Sequence, residues 1–216
     1  MTATLFSDES IGARLPAGVR LFAGRFDDVA QIGLRDAIRD IVREAPLFVP
    51  VMPRSGRPMS VRMTNCGPLG WVTDKARGYR YQAEHPVTGR PWPAIPAPLM
   101  DLWTEVSGFA APPEACLINF YDASAKMGLH QDRDESEFGA AVVSVSLGDD
   151  ARFRIGAAER GGPTQSLILR SGDVLVFGGA ARLAWHGVDR VYPGTSGLLA
   201  NGGRINLTLR RVTRAN

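Results

Sequence analysis

Arg204-Ile205-Asn206-Leu207-Thr208-Leu209-Arg210 (RINLTLR, residues 204–210) alternates polar and apolar side chains without exception. Successive side chains of an extended chain leave opposite faces. Ile205, Leu207 and Leu209 therefore share one face, and Arg204, Asn206, Thr208 and Arg210 share the other. Two arrangements suit such a strand. It can be an edge strand whose polar face meets water, or an inner strand whose polar face lines the interior of a barrel. In the second case two arginines would be costly to bury unless they met anions.

Upstream of this strand, from Ala115 onward, the chain keeps to short apolar runs broken by Gly and Asp. Strands are predicted over 116–121, 141–147, 152–155, 166–169, 174–177, 182–185 and 204–212. Many short strands separated by turns mean a sandwich or a barrel. The N-terminal half differs. A strand over 18–22 precedes a helix that opens near Asp27 or Asp28, either of which suits an N-cap. Val29, Ile32, Ile38, Ile41, Val42 and Ala45 recur at helical spacing, and Pro46 ends the run. A second helix is predicted over 97–109, with Leu99, Leu102, Trp103, Val106 and Phe109 as its buried stripe. The stretch 53–94 between the helices is rich in Arg, Gly and Pro and carries Trp71, Tyr79, Tyr81 and Trp92. The sum is an α+β fold: a double-sheet jelly roll with N-terminal helices covering one sheet.

At 216 residues and 44% hydrophobic content the chain can bury a full core within one domain. A charged fraction of 22% gives no compositional case for disorder. No apolar run is long enough to span a membrane, and the start, MTATLFSDESIGARL, has no apolar signal core. Cys66 and Cys116 belong to no CxxC pair and read as reduced thiols of a cytosolic protein. The net charge of +3 is compatible with a nucleic-acid partner but also with none. The C-terminal end is more pointed, since Arg204, Arg210, Arg211 and Arg214 fall there with no acid among them.

Two of the three histidines stand in suggestive places. His130-Gln131-Asp132 sets an imidazole and a carboxylate two residues apart, hence on one side of an extended chain. His186 follows the strand expected over 182–185. Two histidines and one carboxylate on one face of an ion is the arrangement of non-heme iron(II) oxygenases. On their own the three residues suit equally well a surface hydrogen-bonded pair and a satisfied core histidine. The strand 204–210 shifts the balance, because a dicarboxylate is the anion that two inward arginines would bind, bidentately. Asn119 and Tyr121 share one face of their own strand and could add an amide and a hydroxyl.

The stretches MTNCGPLGW (63–71), PWPAIP (91–96), ACLINFY (115–121), LHQDRDE (129–135), VSVSLG (143–148), SGDVLVFGG (171–179) and RINLTLR (204–210) resemble, in order and spacing, the AlkB family of iron(II)- and 2-oxoglutarate-dependent dioxygenases, in its bacterial DNA-repair branch. The likeness runs from about Phe6 to the C-terminus. It implies a single dioxygenase domain over 1–216, with an N-terminal extension to about residue 112 and a double-stranded β-helix core from about 113. It implies Fe(II) on His130, Asp132 and His186, and 2-oxoglutarate on Asn119, Tyr121, Arg204, Asn206 and Arg210. Arg204 would take the distal carboxylate and Arg210 would lie near the metal-chelating end. The implied reaction spends O2 and 2-oxoglutarate to oxidise an N-methyl group of a damaged base, giving succinate, CO2 and formaldehyde.

The resemblance also assigns Trp71, Tyr79 and Tyr81 to a nucleotide-recognition lid, with Trp71 stacked on the lesion. By composition alone these aromatics would equally be core anchors. Enzymes of this kind act on single strands or flip the base out of a duplex. Asp134, Glu135 and Glu137 form an acidic cluster beside the metal motif, by itself a solvated turn. Methylation at N1 of adenine or N3 of cytosine leaves a cation, which an aromatic face and a desolvated carboxylate both favour. Asp134 is the carboxylate the resemblance points to, and Arg160 the contact to the substrate strand or base. Three departures from the family form are the extra residue between Trp71 and Tyr79, Phe120 between Asn119 and Tyr121, and Phe177 where Trp is usual. Phe120 should face away from its two neighbours. His85, Cys66 and Cys116 have no required catalytic role. The expected substrates are alkylated single- or double-stranded DNA, with RNA as a further one, acted on by a cytoplasmic monomer. The rival readings are a dioxygenase of a protein or small molecule, and a non-catalytic binder of metal or nucleic acid.

Overall fold

The computed structural model describes residues 15–214. Residues 1–14, on which the reading of the start and the first residues of the family likeness fall, lie outside the described residues. Three sheets carry the fold. The larger contains β1 (Val19–Phe22), β10 (Val174–Phe177), β7 (Val142–Gly148), β12 (Arg204–Arg210), β5 (Ala115–Tyr121) and β2 (Arg62–Cys66), in that spatial order. The smaller is ordered β6 (Met127–His130), β11 (His186–Tyr192), β8 (Asp150–Gly156) and β9 (Thr164–Leu169). A separate hairpin joins β3 (Gly70–Asp74) to β4 (Gly78–Gln82). All pairings among these strands are antiparallel.

RINLTLR is an inner strand, not an edge. β12 lies between β7 and β5, and both of its faces are covered. Ile205, Leu207 and Leu209 join Cys116, Ile118, Val143, Val145 and Leu147 on the outer side of the large sheet. There they meet α1 (Asp28–Glu44) through Leu34, Ile38 and Ile41, and α2 (Ala97–Val106) through Leu99, Leu102, Trp103 and Val106. The opposite face of the large sheet meets the small one. Leu117, Tyr121, Val142, Leu175 and Phe177 pack against Ala151, Phe153, Ile155, Leu167, Leu169, Val188 and Val191. This is the expected α+β double-stranded β-helix, with helices on one sheet only. Among the described residues no helix is long and apolar enough to cross a membrane.

The helices start and stop for local reasons. Asp27 accepts a hydrogen bond from the Ala30 N–H and caps α1, which runs out before Pro46. Of its expected stripe, Ile38, Ile41 and Ala45 are buried and Val42 packs on the core, but Val29 and Ile32 are 78% and 45% exposed, and Gln31 and Leu34 take the inward places in the first turns. α2 ends at Val106, three residues short of the prediction, because Gly108 takes a left-handed turn at φ 68°. Phe109 nonetheless packs onto the helix-side core.

Two further expectations are corrected. Residues 182–185 are not a strand. They follow a single 3-10 turn, Gly179–Ala181, and the extended chain begins at His186 itself. Arg182 there is buried by its hydrogen bonds rather than by sheet pairing. Five strands have no predicted counterpart: β2, β3 and β4 within 53–94, β6, and β11, which begins where the expected strand 182–185 would have ended.

Candidate active site

The small sheet brings the two histidines together. β6 and β11 are antiparallel neighbours, and His130 is the direct cross-strand partner of His186. Gly187 permits that approach, because a Cβ there would stand 2.5 Å from the Met127 carbonyl oxygen and force β6 away. Asp132 lies in the loop just after β6, and Gln131 ties that loop down by donating to the Leu183 and Ala158 carbonyls. Candidate ligand atoms of His130, Asp132 and His186 all fall within 4.8 Å of one another.

The protonation of both imidazoles is set by their surroundings. Nδ1 of His130 lies 2.9 Å from the Gly128 carbonyl and Nδ1 of His186 lies 2.9 Å from the Ala184 carbonyl. A carbonyl can only accept, so each Nδ1 carries the proton and each Nε2 offers a lone pair. Those Nε2 atoms are each 3.8 Å from an Asp132 oxygen, His130 from Oδ1 and His186 from Oδ2. Burial drives the His186 imidazole down to about 4, with His130 adding to the shift and Asp132 opposing it. Burial also works to raise the Asp132 carboxyl, but Arg210 and the two histidines outweigh it and hold the group well below the ordinary range. A carboxylate and two imidazoles that turn Nε2 toward it are a set that can hold a divalent ion, with one face left open.

Beside this point lies the polar face of β12. Its register pairs Arg204 with Tyr121 and Asn206 with Asn119, so these four residues share one face of the large sheet. Arg204 is 1% exposed, yet its hydrogen bonds go only to neutral groups: the Asp149 and Leu169 carbonyls and the Ser146 hydroxyl. Its Nε has no partner, and neither does Asn119 Oδ1. Burial pulls Arg204 down to about 10 and pushes the neighbouring Tyr121 hydroxyl up to about 12. Gly203, at φ 96°, lets β12 begin where a Cβ would meet Phe120 and the Tyr121 carbonyl at 2.9 Å. Asn206 donates to Ser144 Oγ and accepts from Thr208. Arg210, at the other end, chelates Asp132 Oδ2 through Nε (3.1 Å) and Nη2 (2.8 Å). Phe120 faces the helix side, as alternation requires. A buried guanidinium with unspent donors and no counter-ion is a cradle for a carboxylate.

The β3–β4 hairpin stands by the metal loop. Trp71 and Tyr81 are direct cross-strand partners. The Trp71 indole N–H donates to Asp134 Oδ2 at 2.7 Å, and the Tyr81 hydroxyl donates to Glu135 Oε1 at 2.5 Å. Tyr79 stacks on Trp71 with ring centroids 5.5 Å apart and is itself exposed. Asp134 is also exposed, so the desolvated carboxylate expected there is not desolvated by the protein. The buried acid of the cluster is its neighbour Glu135, ion-paired to Arg182 and near Arg210. Arg160 is exposed on the loop after β8, its guanidinium over the Trp185 ring, with no contact to the hairpin. His85 is structural: it is buried, with Nδ1 accepting from the Val87 and Thr88 N–H groups and Nε2 donating to Pro46.

Comparison with known proteins agrees with this geometry. The model of the 2OG-Fe(II) oxygenase superfamily matches residues 18–210. An alpha-ketoglutarate-dependent dioxygenase AlkB homolog of Caulobacter vibrioides is 52% identical over 198 residues, covering 92% of this chain and 89% of its own. The alpha-ketoglutarate-dependent dioxygenase AlkB of Escherichia coli is 41% identical over 213 residues, 96% of this chain and 97% of its own. The solved structure of OsALKBH1 superposes with a TM-score of 0.78 at 30% identity, over 92% of this chain and 99% of that one. With the triad in place and the likeness running almost end to end, the chain belongs to the AlkB family of 2OG-Fe(II) oxygenases.

Proposed function

We propose that this chain is an Fe(II)- and 2-oxoglutarate-dependent DNA-repair dioxygenase that removes N-methyl groups of the 1-methyladenine and 3-methylcytosine type. The observation that carries the reading is the conjunction of two features that meet at Tyr121, whose hydroxyl both Arg204 and Asp132 act on. His130, Asp132 and His186 converge within 4.8 Å, and beside them the buried Arg204 keeps an unspent donor and no counter-ion. A dicarboxylate would satisfy that donor, and the Asn119 amide shares its face. When bound, Fe(II), 2-oxoglutarate and O2 together supply the oxidation of the N-methyl carbon, leaving succinate, CO2 and, once the oxidised carbon leaves the base, formaldehyde.

The residues of the chain hold and orient. His130, Asp132 and His186 are the metal ligands. Arg204, Asn119 and Tyr121 take the distal end of the cosubstrate, with Asn206 holding the strand face and Arg210 near the chelating end. Arg210 also fixes the Asp132 carboxylate in one orientation. The sheets bury this floor and exclude water from it, which strengthens every charge interaction inside.

Trp71 presents an aromatic face for the modified base, supported from the hairpin by Tyr79 and Tyr81. A methylated cationic base over such a face gains about 0.5–2 kcal/mol. Asp134 then becomes desolvated by the base itself, so its preference for the cation is made on binding. Arg160 contacts the strand. Substrates are single- or double-stranded DNA, and RNA with the same lesions, since a flipped base presents the same edge. The chain works as one domain, a monomer in the cytoplasm, with residues to about 112 carrying the lid and those from about 113 the catalytic core.

The test is anaerobic loading with Fe(II) and 2-oxoglutarate, then air and an oligonucleotide with one 1-methyladenine. Loss of one CH2 from the oligonucleotide with matching succinate is expected. Succinate without demethylation would reject this substrate class, and neither product with metal bound would reject the enzyme.

A further inference from the structure

Trp71 and Tyr81, opposite each other on the hairpin, bind consecutive acids of the loop that follows the metal ligand Asp132. The two contacts are not alike. Trp71 to Asp134 is exposed. Tyr81 to Glu135 runs into a buried charge cluster. The Glu135 side chain is 2% exposed and faces Arg182 Nη2 at 3.2 Å and Arg210 Nε at 3.4 Å. Both arginines continue to Asp132. Arg210 donates to its carboxylate, and Arg182 Nη1 donates to its backbone carbonyl at 2.7 Å. Arg182 Nε goes on to the Ala140 carbonyl. Two buried cations are thus matched by two buried carboxylates, and Tyr81 is the hairpin's contribution to the set.

We propose that Glu135 is a positioning residue that couples the recognition hairpin to the metal centre. This rests on the metal reading of His130, Asp132 and His186, and not on the identity of the substrate. Arg210 gives its two hydrogen bonds to Asp132 and stands as an ion-pair partner 3.4 Å from Glu135. A shift of Glu135 therefore changes how firmly Asp132 is held, and a shift of Asp132 changes what Glu135 can offer Tyr81. A metal ion that fixes Asp132 in one position stabilises the hairpin in its closed position. Coupling between two sites is reciprocal, so a closed hairpin also favours the bound metal.

Hydrogen exchange of the amides of residues 70–82, followed by mass spectrometry, tests this without turnover. The wild type is compared metal-free and loaded with Mn(II) and N-oxalylglycine. Loading should slow exchange in the hairpin. Glu135→Gln keeps the size and removes the charge. Its hairpin should exchange about 10-fold faster, as loss of a charge-assisted bond implies, and should no longer respond to loading. A merely structural role would speed exchange but leave the response intact, and that outcome overturns the proposal. If Glu135→Gln does not fold, Tyr81→Phe cuts only the hydroxyl and should abolish the same response; a hairpin that still responds overturns the coupling. Mn(II) binding by the wild type, read by electron paramagnetic resonance, separates the two readings. No binding overturns both, and binding with an unresponsive hairpin overturns the coupling alone.

Discussion

Arg204 shows how much a single side chain can say. Its burial is expensive, and its hydrogen bonds go to two carbonyls and a hydroxyl, with Asp150 and Asp173 acting on it only from beyond ion-pair contact. A position of this kind is retained for a ligand rather than for stability. Arg204→Met should therefore fold at least as stably as the wild type while its KM for 2-oxoglutarate rises about 100-fold, the cost of losing a buried charged hydrogen bond being roughly 2–3 kcal/mol. Urea melts and steady-state succinate assays read the two halves, and a destabilised variant with unchanged KM would remove Arg204 from the cosubstrate site. Asp134→Ala should cost more activity on 1-methyladenine than on a neutral N-methylated base. Equal losses on both would remove its charge from recognition. At this scale the sequence was legible where the signal is local. His130 with Asp132, and Arg204 with Arg210, announce themselves by spacing and alternation. Glu135 and Arg182 do not, because an acid in an acidic turn and an arginine at the edge of an apolar run both read as solvated until chain from far away closes over them. Glu135 is buried by Tyr81, Arg182 and Arg210, and Arg182 by Glu135 and the Asp132 and Ala140 carbonyls, contacts that no local pattern encodes.

The elements follow the same division. β5, β7, β10 and β12 carry sharp apolar runs or alternation and fall close to their expected bounds. The hairpin β3–β4 was hidden because neither face is uniformly apolar: Trp71, Thr73, Tyr79 and Tyr81 share one, and Val72 pairs with Arg80 on the other. The stretch 182–185 failed for another reason: Leu183, Ala184 and Trp185 look like a strand, but Arg182 is drawn inward and the chain turns before it extends. What defines β11 is Gly187. A Cβ there meets backbone oxygens of β6 at 2.5 and 2.9 Å, atoms that cannot swing aside. Gly187→Ala should separate His130 from His186 and destabilise the fold by about 1–3 kcal/mol, the usual cost of overpacking. Thermal melts with and without Mn(II) check this. The variant should melt lower and lose most of the rise in Tm that the metal gives the wild type, and a full metal-induced rise would show that β6 tolerates the displacement.

At the scale of the molecule, the site and the fold share one electrostatic account, and acid should reveal it. His186 sits between the two sheets, packed at 4.8 Å against the Phe177 ring, and burial lowers it from 6.5 to about 4. An unfolded chain takes up a proton at this position as pH falls through 6.5, while the native metal-free protein refuses it until about 4. The unfolded state thus binds more protons across that window, and stability must fall as pH drops through it. The full loss is about 3 kcal/mol at 1.36 kcal/mol per unit. Asp132 acts in the same direction one window lower. Its folded value lies below its ordinary one, so its contribution is present above 3.8 and is lost as pH falls further. Urea melts of the metal-free protein at intervals from pH 7 to pH 4 should show a steady decline, and His186→Gln, which has nothing to titrate, should flatten it. Bound metal steepens the same dependence, because Nε2 of both histidines must be unprotonated to ligate and each proton competes with the ion. If His186→Gln declines as steeply as the wild type, acid sensitivity arises elsewhere in the molecule and the buried neutral imidazole is not its source.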